Sequence, residues 1–478
     1  MREYDIVVIG GGVIGGAVLR ELSKYCLRVC LAEKESDVAM GASKANSGIV
    51  HAGFDAAEGS NKAKFNVLGN EMMEKYASDL GVRFLQNGSL VLGFSDADMN
   101  LLQRLLVRGK KNGVKGLRMV DGSEVHSMEP NVSPEVIGAL YAPTGGIICP
   151  YQLTIAAIGN AMDNGAELYT EFDVFKITKE NGQFVVEDRS GRKLRAKLLI
   201  NCAGLGAERI ARLAGDESIH IYGRRGEYML LDKECGNAVR HTLFSVPTEK
   251  GKGILVTPTA DGNILLGPTA EEMKEPNTET TSIGLASVMV CAKKMCKNLP
   301  LKNVITSFAG VRAYSDRHDF IIEESKQTEG MIHLAGIESP GLTSAPAIAE
   351  YVVDQIVGKH FLLEKKRDFI NKRAPDFFFK QLSVEEKNAL IAKDPAYGRI
   401  VCRCEEITEG EIVCAVRRNP PARNIDAIKR RTRAGMGRCQ GGFCQPSVAE
   451  IIARETDIAL EQVTKSGGGS RLLTGRSK

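Results

Sequence analysis

The chain opens on the apolar run YDIVVI and then turns on three consecutive glycines, and this pairing restricts the fold more than anything else in its 478 residues. YDIVVI is β-branched and uncharged after Asp5, as in a strand buried on both faces of a parallel sheet. Gly10-Gly11-Gly12-Val13-Ile14-Gly15 fits G-x-G-x-x-G. In the following GGAVLRELSKY, Val18, Leu19 and Leu22 share a helical face, and LRVCLAE is a second apolar strand ending at Glu33, 23 residues after Gly10. Strand, glycine turn, helix, strand and terminal acid make a complete βαβ unit for a dinucleotide. Gly10 allows the tight turn, Gly12 lets a pyrophosphate approach the backbone, and Gly15 lets helix and strand pack closely. The helix N-terminus offers N–H groups to the phosphates. Glu33 can accept from a ribose diol and would repel a 2′-phosphate. By itself the unit fits FAD and NAD alike.

One such unit is a small part of the chain. Its length exceeds one ordinary core, so two or three domains are expected. A net charge of +4 is too small to argue for nucleic acid or an anionic surface. No apolar run approaches the roughly 20 residues that span a bilayer. The first apolar stretch lacks a basic leader and cleavage site, so it reads as strand and turn, not as a signal peptide. The expected setting is the cytoplasm, with the periphery of a membrane complex as the second choice. Of the 12 cysteines, eight are scattered and read as reduced, mainly buried thiols. The other four form Cys402-x-Cys404 and, 35 residues after Cys404, Cys439-x4-Cys444. Thiolates at short spacing on two loops can converge on one metal centre. Zinc and [2Fe–2S] both accept four cysteines, although zinc ribbons favour C-x2-C twice.

Downstream of Glu33 the segment GASKANSGIVHAGFD (41–55) is small and polar. It is followed by YGRRGEYMLL (222–231), DGNILLGPTA (261–270), FAGVRAYSD (308–316) and GIESPGLTSAPAIAEYV (336–352). In this order the pieces resemble the glycine/D-amino-acid oxidase-like FAD oxidoreductases, in the branch of L-2-hydroxyglutarate and FAD-linked glycerol-3-phosphate dehydrogenases. The resemblance implies FAD. It implies that Ser43, Asn46, Ser47 and His51 lie near the isoalloxazine, with His51 taking the hydroxyl proton of a substrate as hydride leaves the same carbon. A histidine's ordinary pKa of about 6.5 suits that task. In LLINCAGLGAERIA, Ala203 and Gly204 are expected near the phosphates. Gly336 allows close approach, Pro340-Gly341 form a turn, and Leu342, Thr343 and Ser344 open a helix toward the flavin pyrimidine edge. Arg312 is expected to clamp an anionic group, with Arg225, Tyr228 and Lys252 as further substrate-binding candidates.

RCEE (403–406) with TRAGMGRCQGGFC (432–444) resembles the small helical [2Fe–2S] domain of bacterioferritin-associated ferredoxins. It implies Cys402, Cys404, Cys439 and Cys444 as ligands, with nearby glycine N–H groups and Arg403, Arg433 and Arg438 offsetting the cluster's charge. The expected architecture is α/β. A Rossmann-like FAD-binding domain (1–75, 149–214 and 306–365) carries an antiparallel-sheet substrate cap (76–148 and 215–305). A linker (366–397), a small helical iron–sulfur domain (398–465) and a flexible tail (466–478) follow. The implied activity is a dehydrogenase for a small anionic secondary alcohol, first sn-glycerol 3-phosphate and second an L-2-hydroxy acid such as L-2-hydroxyglutarate. Electrons pass through the cluster to a partner. A reading of another class is an FAD/[2Fe–2S] electron-transfer subunit without its own substrate. One departure bears on the choice: glycerol-3-phosphate enzymes of this family usually carry an arginine four residues after the histidine, and here that position is Asp55.

Overall fold

The run at the N-terminus forms the strand Arg2–Ile9, in the middle of an eight-stranded sheet. The computed structural model describes residues 1–247, 253–375 and 378–475. Arg2–Ile9 runs parallel to Val29–Ala32 on one side and to Lys193–Asn201 on the other; Glu167–Tyr169 and Met331–Ala335 extend the parallel set. A hairpin of Val174–Glu180 and Gln183–Asp188, together with Ile321–Glu324, completes it. The helices Val13–Leu22, Pro150–Asp163 and Gly341–Gln355 pack against one another over one face, and their apolar sides join the strands in a single core. The glycine turn is sterically obligatory. Gly10 sits at φ +110°, a Cβ there would overlap the Cys202 carbonyl, and one on Gly15 would overlap the Gly10 carbonyl oxygen.

Above the C-terminal ends of these strands lies a nine-stranded sheet, antiparallel except where Thr242–Ser245 runs alongside Ser89–Gly93. Its longest pairing joins Ile221–Leu231 to Val304–Ser315. This changes an expected boundary. The chain was expected to re-enter the nucleotide domain at residue 306, yet Val304–Ser315 stays in the cap sheet, because it is zipped along the whole of Ile221–Leu231. The nucleotide domain resumes at Ile321–Glu324. The helix Ser282–Met295 buries Val288, Ala292 and Met295 in the cap's own core.

The helices Glu409–Arg417, Ile425–Thr432 and Gln445–Thr456 form a third unit with a separate core. A capping box, Thr408 with Glu411, starts the first of them. The unit is fastened to both others. Arg430 and Arg431 share the Asp37 carboxylate of the nucleotide domain at 2.6 and 2.8 Å. Arg433 reaches Glu405 of its own unit at 2.9 Å and Asp261 of the cap at 2.6 Å. The connecting segment packs on the nucleotide domain, where Arg20 bonds Asn371 and the Arg373 N–H donates to the Asp79 carbonyl. The expected flexible tail is docked through Arg471: Thr464 bridges to Arg471, and the Ser36 hydroxyl donates to the Ser466 carbonyl at 2.7 Å. Among the described residues no helix is long and apolar enough to cross a membrane.

Candidate functional site

A cavity of about 1180 Å³ runs from the glycine turn, past the ends of the parallel strands, to the underside of the cap. Crevices at this edge of a parallel sheet are where such folds bind ligands. At one end the helix Val13–Leu22 begins on Gly12 with no side-chain cap from that residue, which leaves its N-terminus to be satisfied from elsewhere. Glu33 closes this end. Its carboxylate accepts from the Gly11 N–H at 2.6 Å and from the Glu35 N–H at 2.9 Å. Burial raises its pKa, and these two bonds oppose the rise. They fix its orientation while leaving lone pairs for a diol. Ala203 and Gly204 line the facing wall.

Ser43 differs from its expected place beside the isoalloxazine. Its hydroxyl accepts from the Val13 N–H at 2.9 Å, so it stands at the phosphate end of the cavity and supplies the helix with the acceptor Gly12 cannot. Asn46 holds the turn that follows: its amide donates to the Ala42 and Ser43 carbonyls and accepts from the Gly48 N–H. Asn46 and Ser47 both line the cavity, and the close approach of Gly310 to Ala45 presses this segment against the cap.

At the far end stand His51 and Arg312. His51 is gripped by its backbone, its N–H donating to Thr343 Oγ1 at 2.9 Å and its carbonyl accepting from Asn66 and Asn70. Its Nε2 is 3.1 Å from the Ser339 hydroxyl, and its ring lies 5.9 Å from that of Phe244. Arg312 donates through Nη2 to the Thr269 carbonyl at 3.1 Å, and its buried Nε has no hydrogen-bond partner in the structure. A half-buried guanidinium on the cavity wall, with no carboxylate partner among the described residues, suits an anion. Tyr228 stacks on Phe308 with ring centroids 4.9 Å apart. Burial raises its phenol, opposed by the nearby Arg312 charge and a bond to Ser47.

Arg225, expected beside Tyr228, is turned the other way. It is buried against Glu227 and bonds Glu271 at 2.6 Å and Asn277 at 2.8 Å. In the strand Ile221–Leu231 successive side chains alternate between faces, so Tyr228 shares the cavity face with Arg224, not with Arg225. Gly336 and Thr343 do not line the cavity, whereas Gly341 and Leu342 do. Gly336 is pressed against Ser315, and Thr343 is spent on the His51 backbone. Lys252 lies outside the described residues. Sequence reasoning passed over Ser339 and Arg224. The alternation along YGRRGEYMLL could have found Arg224, whereas Ser339 meets His51 only through tertiary folding.

The four C-terminal cysteines fall into two pairs. Cys404 and Cys439 have their sulfurs 3.6 Å apart, and the thiols of Cys402 and Cys444 bond each other. Two thiolates on one tetrahedral metal at about 2.3 Å stand roughly 3.75 Å apart, so each pair suits one iron of a two-iron cluster. The Cys402 sulfur also accepts from the Gly435 and Glu405 N–H groups, and Cys439 from those of Gly441 and Phe443. The bond with Cys444 draws Cys402 down to about 6 and pushes Cys444 up, because one proton is shared between them. A Cβ on Gly437 would overlap that of Cys404. Arg433 and Arg438 do not face the sulfurs as expected; they are taken by Glu405 and Asp261 and by Asp232 and Glu234.

Comparison with known proteins agrees with both halves. Residues 5–355 match the FAD dependent oxidoreductase family, and residues 400–454 match the BFD-like [2Fe-2S] binding domain. A Glycerol 3-phosphate dehydrogenase from Caloramator mitchellensis is 47% identical over 477 residues, covering 99% of each chain. A mitochondrial L-2-hydroxyglutarate dehydrogenase from Nematostella vectensis is 28% identical, over 74% of this chain and 90% of its own length. Among solved structures, dithionite-reduced L-alpha-glycerophosphate oxidase from Mycoplasma pneumoniae with FAD bound superposes with a TM-score of 0.74 at 32% identity. It covers 78% of this chain and 99% of that one.

Proposed function

This chain belongs to the FAD dependent oxidoreductase family and ends in a BFD-like [2Fe-2S] binding domain, and from that premise we propose that it oxidises sn-glycerol 3-phosphate to dihydroxyacetone phosphate and hands the electrons to a separate acceptor. FAD and a [2Fe–2S] cluster are its cofactors. The observation that carries the substrate is the dehydrogenase relative, which is 47% identical over 477 residues, a span that includes both the flavin and the cluster regions.

When bound, FAD supplies a two-electron acceptor for the substrate carbon, and the cluster supplies a one-electron outlet. The chain's own residues do the rest. In this reading Glu33 orients the ribose, and the N-terminus of Val13–Leu22 with Ala203 and Gly204 meets the diphosphate. Arg312, on the cavity wall, takes the phosphate of the substrate. Arg224, on the same wall, is the second cation available to it. The substrate hydroxyl competes with Ser339 for the unprotonated Nε2 of His51, and its proton passes to that atom. Ser339 and Thr343 act as positioning residues, fixing ring and backbone. The exposure of Cys404 places one thiol pair at the surface, which supports an acceptor on another protein.

A second reading, oxidation of an L-2-hydroxy acid, is favoured by one observation: Asp55 lines the cavity where a phosphate-binding arginine is usual in the family. Anaerobic titration separates the two. Under the first reading sn-glycerol 3-phosphate bleaches the flavin stoichiometrically and L-2-hydroxyglutarate does not. Bleaching by the hydroxy acid alone would transfer the assignment, and bleaching by neither would end both.

A further inference from the structure

A second cavity, of about 320 Å³, lies in the seam where the three units meet. Its two acids are already neutralised, Asp426 by Lys465 at 2.8 Å and Asp261 by Arg433 at 2.6 Å. Two of its four lining cations, Lys44 and Lys429, have no ion-pair partner among the described residues. Arg430 lines it too, with a side chain only 6% exposed and an Nε that bonds nothing. Asp426, itself paired with Lys465, offsets the charges of Lys44 and Lys429 only in part, and Arg430 shares the single Asp37 carboxylate with Arg431. Burial lowers the pKa of both lysines and the neighbouring Arg430 charge adds to this, while Asp426 opposes it. Ile148, Phe308 and Met436 are among its apolar lining residues.

We propose that this seam cavity is a second ligand site, taking a phosphate monoester with an aromatic body, its dianionic head on Arg430, Lys44 and Lys429 and its ring against Ile148, Phe308 and Met436. A dianion matches a surplus of this size better than a single carboxylate does, and an orphaned buried guanidinium N–H is costly until an oxyanion meets it. Asn46 and Ser47 line this cavity as well as the large one, and Met436 belongs to the loop bearing Cys439. An occupant therefore touches the segment beside the flavin site and the loop of the cluster at once. The site does not depend on which alcohol the large cavity oxidises.

Calorimetric titration of the holoenzyme with phenyl phosphate tests it, carried out on an Arg312→Ala background to silence the large cavity. That variant should bind one phenyl phosphate per chain. Adding Lys44→Glu with Lys429→Glu should weaken binding at least about tenfold, with flavin content, iron content and, in the otherwise native chain, turnover unchanged. Lys44→Gln with Lys429→Gln should weaken it in the same direction and guards against misfolding of the charge-reversed protein. Inorganic phosphate, which lacks the ring, should bind more weakly than phenyl phosphate. No phenyl phosphate binding in the millimolar range, binding indifferent to both lysine pairs, or inorganic phosphate binding as tightly would each overturn the proposal.

Discussion

Arg312 and Arg225 show how much rides on the direction of a single side chain. Both lie on neighbouring strands of the cap and both are arginines; Arg225 is buried and Arg312 half-buried. Both have a buried Nε without a hydrogen-bond partner, but Arg312 lines the large cavity, whereas Arg225 is enclosed by Glu227, Glu271 and Asn277. Arg312→Ala should therefore cost about 2–4 kcal/mol in kcat/KM for the anionic substrate, with little change in melting temperature. Arg225→Ala should do the reverse, lowering stability by about 3 kcal/mol because Glu227 is left buried without its cation. Steady-state kinetics and thermal unfolding of the two variants, side by side, check this; equal KM effects would place both on the substrate. The difference was legible in YGRRGEYMLL. Once Tyr228 is placed inside, a period of two puts Arg224 inside and Arg225 out. The placement of Ser43 was not legible, because its partner is the Val13 N–H on a different element.

At the scale of elements, the loop Gly435–Cys444 gathers two thiols and the N–H groups that meet them. Its tightest point is Gly437, where any side chain would strike Cys404. Gly437→Ala should displace Cys404 and strip the iron while FAD stays bound, and Cys439→Ser should do the same by removing a ligand. Iron analysis alongside flavin absorbance reads both, and full iron in Cys439→Ser would mean that the ligand set is wrong. The spacing of the cysteines marked this loop in advance, since short loops bring neighbouring thiols together whatever the rest of the chain does. Strand boundaries were less readable. FAGVRAYSD looks like a return to the nucleotide domain, and only the eleven-residue partner Ile221–Leu231 shows that it still belongs to the cap.

Across the whole molecule, the joints between units rest on charges isolated in sequence. Asp37 is the clearest. Burial alone would raise its pKa, but Arg431 and Arg430 outweigh that and hold it at about 2. A carboxylate depressed in the fold stabilises it above its unfolded pKa of about 3.9 and loses that contribution as pH falls toward 2. Wild-type stability in urea, followed by far-UV circular dichroism, should fall through this window. Asp37→Asn should be less stable at neutral pH, by about 3–5 kcal/mol, and flatter below pH 4. An identical acid profile in the variant would show that the joint is carried elsewhere. Nothing in the local pattern of EKESDVAM or IDAIKRRTR foretells this pairing, because the two stretches lie nearly 400 residues apart and each reads as an ordinary solvated surface. Arg433 has a wider consequence. It ties the loop of the cluster to Asp261 of the cap, while Lys233 and Arg438 add ties to Glu405, Asp232 and Glu234. Ion pairs at the base of the cap oppose a hinged swing of the cap away from the cluster loop. The same ties set the spacing between the large cavity and the cysteine loop, so that one framework carries both.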